Sequence, residues 1–123
     1  MPKTKSDTLV LVLDHGSSGC KVGLVNQRGR VIDFVYKPTE TYYLAGGAAE
    51  QDPEEWWRAF VKGSRTVLGR NPGAAAKIRA VSFSSTGSTT IAVGKDGSPV
   101  MNALTWADSR GAPFVKKSVG GFP

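Results

Sequence analysis

An α/β fold with a mixed sheet is predicted by three features of the sequence. Apolar runs of strand length, at residues 9–13, 22–25 and 31–36, are joined by turns short enough to impose antiparallel pairing. An amphipathic stretch opening at Asp52-Pro53-Glu54-Glu55 has helical length and extends to about Gly69. A further apolar run, residues 78–83, follows it, so the order is βββαβ with more strands behind, a mixed sheet with helix cover. A chain of 123 residues suffices for one domain with its own core.

Residues 1–8 are polar, carry Lys3 and Lys5, and are expected to be disordered. No signal-peptide core and no membrane-spanning run is present, which gives a cytoplasmic location by default. The first apolar run ends abruptly at Asp14, so a carboxylate is expected at a strand tip. Asp14-His15-Gly16-Ser17-Ser18-Gly19-Cys20-Lys21 then leads into the second run. Gly16 and Gly19 permit positive φ and close backbone approach, while Ser17 and Ser18 add hydroxyl donors without bulk. Such a turn can direct several N–H groups at one anion. If the hairpin closes tightly, Lys21 returns beside the end of the first strand, and a cation and a carboxylate flank one anion-sized concavity. Lys21 is then the candidate phosphate ligand, and Asp14 the candidate for a magnesium ion or its water. Without context, the same residues also fit a plain Gly/Ser hairpin turn. None of the patterns GxxxxGK[ST], GxGxxG or GxSxG occurs at this stretch.

Asn26-Gln27-Arg28-Gly29 is a turn signal that completes an antiparallel meander. Residues 39–49 read as a Gly/Ala-rich connection anchored by Tyr42-Tyr43-Leu44. In the helix, Asp52 can cap, Pro53 suits the first turn, and Glu54 and Glu55 complement the positive end of the dipole. Trp57, Val61 and Leu68, with Ser64 between them, share one face, Trp56 and Phe60 form a neighbouring row, and this stripe is expected to face the sheet. Gly63 costs about 1 kcal/mol relative to Ala inside a helix, which close packing would explain. Parallel pairing of residues 78–83 with the first strand, through a right-handed crossover, would set Asp14 and Ser84 at neighbouring strand ends, where ligands of α/β sheets bind. Residues 84–90, rich in hydroxyls and glycine, form a second candidate site loop. Residues 91–93 and 100–106 read as a hairpin about Lys95-Asp96-Gly97-Ser98-Pro99, and two loops at strand ends of one sheet can face one cleft.

The net charge of +6 suggests anionic partners. The basic residues are scattered, over Lys62, Arg65, Arg70, Lys77, Arg79, Lys116 and Lys117, with no patch of interleaved aromatics, which disfavours nucleic acid. A single cysteine excludes an internal disulfide, and Cys20 on an apolar strand face reads as a small buried residue rather than a nucleophile. His15 lacks the partner spacing of a metal site or a triad and reads first as a turn residue, second as a ligand contact.

Several separate stretches resemble one family. Asp14, Gly16, Ser17 and Lys21 match, position by position, D-x-G-[ST]-x-x-x-[KR], the first phosphate motif of the FGGY carbohydrate kinases and, more loosely, of the sugar kinase, heat-shock chaperone and actin superfamily. Glu50-Gln51-Asp52-Pro53-Glu54-Glu55-Trp56-Trp57 resembles the E-Q-D-P-x-x-W-W segment that opens the family's first long helix. Ala80-Val81-Ser82-Phe83-Ser84-Ser85 resembles the family's sugar-site strand. Behind it, Lys95-Asp96-Gly97 resembles the D-x-x-G turn, and Leu104-Thr105-Trp106-Ala107-Asp108-Ser109-Arg110 the W-x-D-x-R segment. The wording is closest to xylulokinase- and gluconokinase-like members.

The resemblance implies a ribonuclease H-like, actin-like ATPase domain. Residues 9–123 would be the N-terminal portion of the first of two domains, incomplete because the family's catalytic aspartate and adenosine site come later. It implies ATP-dependent phosphorylation of a sugar or polyol hydroxyl, with ATP and Mg2+ as cofactors, and a chain inactive by itself. Asp14 would bind magnesium through water, and Gly16, Ser17, Ser18, Gly19 and Lys21 would meet the phosphoryl groups. Thr86, Gly87, Ser88 and Thr89 stand where the family grips the polyol, and Trp106, Asp108 and Arg110 line or brace the sugar side. Gly87 and Ser88 are small where the family places large side chains, so the resemblance does not fix the sugar. An exposed sheet edge or apolar face would favour association, including a homodimer. The alternative is a non-catalytic actin-like nucleotide-binding module, which shares the turn but needs no polyol loop.

Overall fold

The computed structural model describes residues 8–118. The expectation of a disordered segment at residues 1–8 falls, apart from Thr8, outside them. In chain order the elements are β1 (Leu9–Gly16), β2 (Gly19–Asn26), β3 (Val31–Pro38), β4 (Tyr42–Leu44), β5 (Ala48–Gln51), α1 (Pro53–Arg70), β6 (Ile78–Ser85), β7 (Ala103–Leu104) and α2 (Ala112–Ser118). They fall into two compact units, one ending its two segments at Thr39 and Thr86, the other made of Glu40–Pro53 and the chain from Gly87 onward.

The first unit is a four-stranded mixed sheet in the order β3-β2-β1-β6. The meander pairs β1 with β2 and β2 with β3 antiparallel, and β6 joins β1 in parallel, as the sequence predicts. Each strand runs beyond its apolar run, because the β1–β2 ladder continues through the polar residues to Gly16↔Gly19. The core lies between the sheet and α1. Leu9, Leu24, Val67 and Ala74 form one buried cluster, and Cys20, Val22 and Ala59 another.

The buried residues of α1 are Ala59, Gly63 and Val67, while Trp57 is 65% exposed. The expected stripe therefore holds at Phe60 and Leu68, which pack on the two clusters, and at Trp56, which lies on His15, and fails at Trp57. Small residues decide the contact: a Cβ on Gly63 would lie 2.6 Å from Val22 Cγ2, so the helix backbone rests nearly on the strand, where an indole could not fit. The packing role expected of Gly63 holds. The helix ends as expected: Asn71 Nδ2 donates to the Val67 carbonyl at 2.8 Å and to Asp33 at 2.8 Å, and Gly73 takes a φ of +79°.

The second unit carries a three-stranded antiparallel sheet, β4-β5-β7. Two expectations are corrected here. Residues 39–49 are more than a connection, since β4 and part of β5 lie in them, linked by a 3-10 turn at Ala45–Gly47. β4 is three residues long and partly to fully exposed, too short for its alternation to register in sequence. The hairpin expected over 91–106 reduces to single bridges, Val93↔Pro99 and Thr90↔Leu104, and its last strand, β7, pairs with β5 rather than joining the sheet of β1. Pro99 has no N–H to extend a ladder, and the Asp96 carboxylate draws the Ser98 N–H at 3.1 Å and its hydroxyl at 3.0 Å into the turn.

Candidate functional site

The turn joining β1 and β2 is Ser17-Ser18 alone, closed by the Gly16↔Gly19 pair. The register sets Asp14 directly opposite Lys21, Lys21 opposite Tyr36, and Asp14 opposite Ser84. Opposed residues project from the same face of a sheet, so Tyr36, Lys21, Asp14 and Ser84 form one polar row across all four strands. Lys21 Nζ lies 3.5 Å from Asp14 Oδ2, and Ser84 Oγ donates to Asp14 Oδ1 at 2.6 Å. The Asp14 carboxyl is held below its ordinary pKa chiefly by the Ser84 hydrogen bond, which desolvation opposes and to which the Lys21 charge and hydrogen bond add. Beside the row the sheet face forms an apolar hollow of about 430 Å³, lined by Val12, Gly23, Val31 and Phe34 with Asp14 and Lys21.

Gly19 is required by its neighbours. Its φ is +157°, and a Cβ there would lie 2.5 Å from the Lys37 carbonyl oxygen and 2.7 Å from Tyr36 Oη. The Tyr36 hydroxyl donates to the Ser18 carbonyl at 2.6 Å and lies 3.1 Å from Ser18 Oγ, and the Thr39 N–H donates to the same carbonyl at 3.1 Å. Sequence reasoning misses Tyr36 because nothing in a tyrosine at that position marks a reach of 18 residues back to the turn.

His15 is corrected. It is a strand residue, 5% exposed, with its ring centroid 4.4 Å from that of Trp56 and 6.3 Å from that of Phe60. Alternation on β1 sends Asp14 to one face and His15 to the other, against α1, so the histidine is core. Cys20 is fully buried, as expected, and burial, aided by the charge of Asp14, pushes its thiol up to about 11.

The second candidate loop starts later than expected, since Ser84 and Ser85 are part of β6. Thr86 donates its N–H to the His15 carbonyl at 2.8 Å in the first unit, while Gly87, Ser88 and Thr89 belong to the second. Ser88 holds a φ of +55°, which L residues seldom adopt, and the small side chain eases it.

Within the second unit Asp108 and Arg110 are tied to β5. The Asp108 carboxylate accepts the Ala49 N–H at 3.0 Å and the Arg110 guanidinium at 2.7 Å, and the same guanidinium donates to Glu50 Oε1 at 2.6 Å. Arg110 first and the Ala49 amide second hold the Asp108 carboxyl down at about 2. Glu50 is lowered by Arg110 and then by Asn102, which donates to it at 3.1 Å, and Arg110 is raised in turn. Thr105 donates both its hydroxyl, at 2.9 Å, and its N–H, at 3.0 Å, to the Ala49 carbonyl. Glu50 and Thr105 are not singled out by sequence reasoning, although both lie in the segments that carry the resemblance. Trp106 is 61% exposed.

The model of the N-terminal domain of the FGGY family of carbohydrate kinases matches residues 9–118. A xylulose kinase of Staphylococcus epidermidis is 32% identical over 102 residues, which is 83% of this chain and 21% of that protein. A glycerol kinase of Albidiferax ferrireducens is 32% identical over 107 residues, covering 86% and 22%. Among solved structures, a gluconate kinase from Lactobacillus acidophilus superposes with a TM-score of 0.82 at 27% identity, over 91% of this chain and 22% of its own. A xylulose kinase from the same organism gives 0.80 at 26%, over 89% and 22%. The chain thus spans 21–22% of the length of the curated relatives it matches. The fold is the mixed α/β, actin-like ATPase fold of these sugar kinases. A match reaching from the first strand to α2, through both the Asp14 turn and the Arg110 segment, means that the chain belongs to the FGGY family of carbohydrate kinases.

Proposed function

We propose that the protein containing these residues transfers a phosphoryl group from ATP to a hydroxyl of a sugar or polyol, and that residues 9–123 are the N-terminal part of the first of its two domains. The observation that carries this reading is the Asp14–Lys21 pair at the mouth of a two-residue turn, with Ser84 bonded to the carboxylate. Gly16, Ser17, Ser18 and Gly19 supply a turn without bulk, and Lys21 supplies the cation that a phosphoryl group needs.

Asp14 fits a hydrated magnesium ion. Its side chain is half exposed and its pKa is below the ordinary value, so it is ionised at neutral pH. Among the described residues no group of three or more His, Cys, Asp or Glu could hold a metal directly, which favours contact through water over a closed cage. Bound there, the ion would supply neutralisation of phosphate charge. The same lowered pKa makes Asp14 a poor proton acceptor, so the base for the attacking hydroxyl is assigned to the part of the relatives' length that this chain does not span.

Thr86, Gly87, Ser88, Thr89 and Trp106 are proposed to contact the sugar, with Asp108 and Arg110 bracing their segment on β5 rather than touching the ligand. The contacts of both charged side chains with β5 support that division. Among the described residues no helix is long and apolar enough to cross a membrane, and a cytoplasmic location is part of the proposal. The test is ADP release by a protein carrying this chain within the relatives' length, across pentuloses, hexuloses, aldonates and glycerol. A sugar-dependent rate abolished by Asp14→Ala supports the reading. Nucleotide binding without any sugar-dependent rate transfers the assignment to the non-catalytic module.

A further inference from the structure

Tyr36 stands at the end of the polar row, and its phenol is turned onto the Ser17-Ser18 turn. The phenol has one proton, and the 2.6 Å contact commits it to the Ser18 carbonyl. The Thr39 N–H reaches the same oxygen, so both acceptor directions of that carbonyl are filled from the β3 side. This matters for an anion site, because a carbonyl oxygen free to swing toward bound phosphate would present the negative end of its dipole. The phenol oxygen also lies 3.1 Å from Ser18 Oγ, a contact that holds the Ser18 side chain as well as its carbonyl to Tyr36. The absent Cβ at Gly19 completes the arrangement, since a side chain there would collide with the phenol oxygen.

We propose that Tyr36 is a positioning residue of the phosphate-binding turn: by holding the Ser18 carbonyl it keeps that acceptor away from the anion and fixes the geometry of the turn. The proposal rests on the reading of the turn as a phosphate site. It goes beyond that reading by naming a residue outside the Asp14-to-Lys21 stretch on which affinity depends. Tyr36 is 44% exposed, so losing its hydroxyl leaves no buried void, and the fold tolerates Tyr36→Phe.

The experiment is a titration with magnesium tripolyphosphate of a 15N-labelled protein carrying this chain within the relatives' length, following the amides of residues 16–21. The unchanged chain, Tyr36→Phe and Tyr43→Phe are compared, the last removing the hydroxyl of a tyrosine 75% exposed on β4. The expected result is saturable shifts at the turn, a dissociation constant about three- to tenfold weaker for Tyr36→Phe, no change for Tyr43→Phe, and a Tm for Tyr36→Phe close to that of the unchanged chain. Equal affinity for the unchanged chain and Tyr36→Phe overturns the role of Tyr36 while the phosphate site stands. A loss of Tm without a loss of affinity likewise overturns it, since the hydroxyl is then merely structural. No saturable shift at the turn in the unchanged chain overturns the phosphate reading and the proposal with it.

Discussion

Asp14 and Lys21 face each other across β1 and β2 with Nζ 3.5 Å from Oδ2, while Ser84, from the parallel neighbour β6, donates to the other carboxylate oxygen. The two side chains are 50% and 61% exposed, so as an ion pair they contribute about 0–1 kcal/mol to stability. Because the folded pKa of Asp14 is lowered, its small stabilising contribution is present above the ordinary carboxylate pKa and is lost as pH falls through the lowered value. Ser84→Ala should raise the Asp14 pKa, since that hydrogen bond is the largest single cause of its lowering, and Lys21→Met should raise it too. A carboxyl 13C titration reads this directly; an unmoved Asp14 in Ser84→Ala would show that the hydrogen bond is not what lowers it.

Two glycines of α1 should respond with opposite sign to the same substitution. Gly63 is buried, and a new methyl would meet Val22, a β-branched residue of zero exposure that cannot rotate away. Gly63→Ala should destabilise by about 1–2 kcal/mol net of its propensity gain. Gly69 has open space where a methyl would sit, with nothing within 4 Å, and Gly69→Ala should stabilise by about 0.5 kcal/mol. Urea midpoints at constant m-value decide it. A stabilised Gly63→Ala would mean that the helix sits farther from β2 than the structure has it.

These two glycines also mark where sequence stops being legible. Strand positions and the Asp14–Lys21 juxtaposition follow from short-range signals, apolar runs and tight turns, that act within a few residues, and the parallel partner of β1 follows from the handedness of the crossover through α1. The facing of α1 does not, because periodicity identifies several rows and only the partner surface chooses among them. Trp57 reads as core by hydrophobicity, yet the strand accepts Ala59 and Gly63 instead. His15 eludes sequence reasoning for a related reason: adjacent to a turn in sequence, it is sent under Trp56 by strand alternation. The β4–β5–β7 sheet escapes because its strands are two to four residues long and are held by side chains distant in sequence, such as Thr105 on the Ala49 carbonyl.

Cys20 should be inert in the folded protein. With its thiol pushed up to about 11, little thiolate exists near pH 8, and zero exposure blocks access to a reagent. A disulfide reagent should label the native chain at least about a hundredfold more slowly than the chain in denaturant. Because Asp14 contributes to raising that pKa, Asp14→Asn should speed native labelling modestly. Labelling at the denatured rate would place Cys20 outside the core.

Asp108 makes the second unit sensitive to acid at a defined point. Its carboxylate joins the Ala49 amide of β5 to Arg110, which in turn holds Glu50, so one ionised group organises all of these contacts. A folded pKa of about 2, below the ordinary carboxylate value, means that the bond to Ala49 is at full strength above pH about 4 and fails as pH falls through about 2. Hydrogen exchange at the Ala49 amide should therefore stay protected down to that point, after correction for the intrinsic rate. Asp108→Asn keeps an acceptor for the amide but removes the charge from Arg110, and should abolish the pH dependence while leaving partial protection. Arg110→Met should raise the Asp108 pKa and move the loss of protection to higher pH. Protection of Ala49 that is independent of both substitutions would assign the strand's stability to its pairing with β4 and β7 and to the Thr105 contacts with the Ala49 carbonyl.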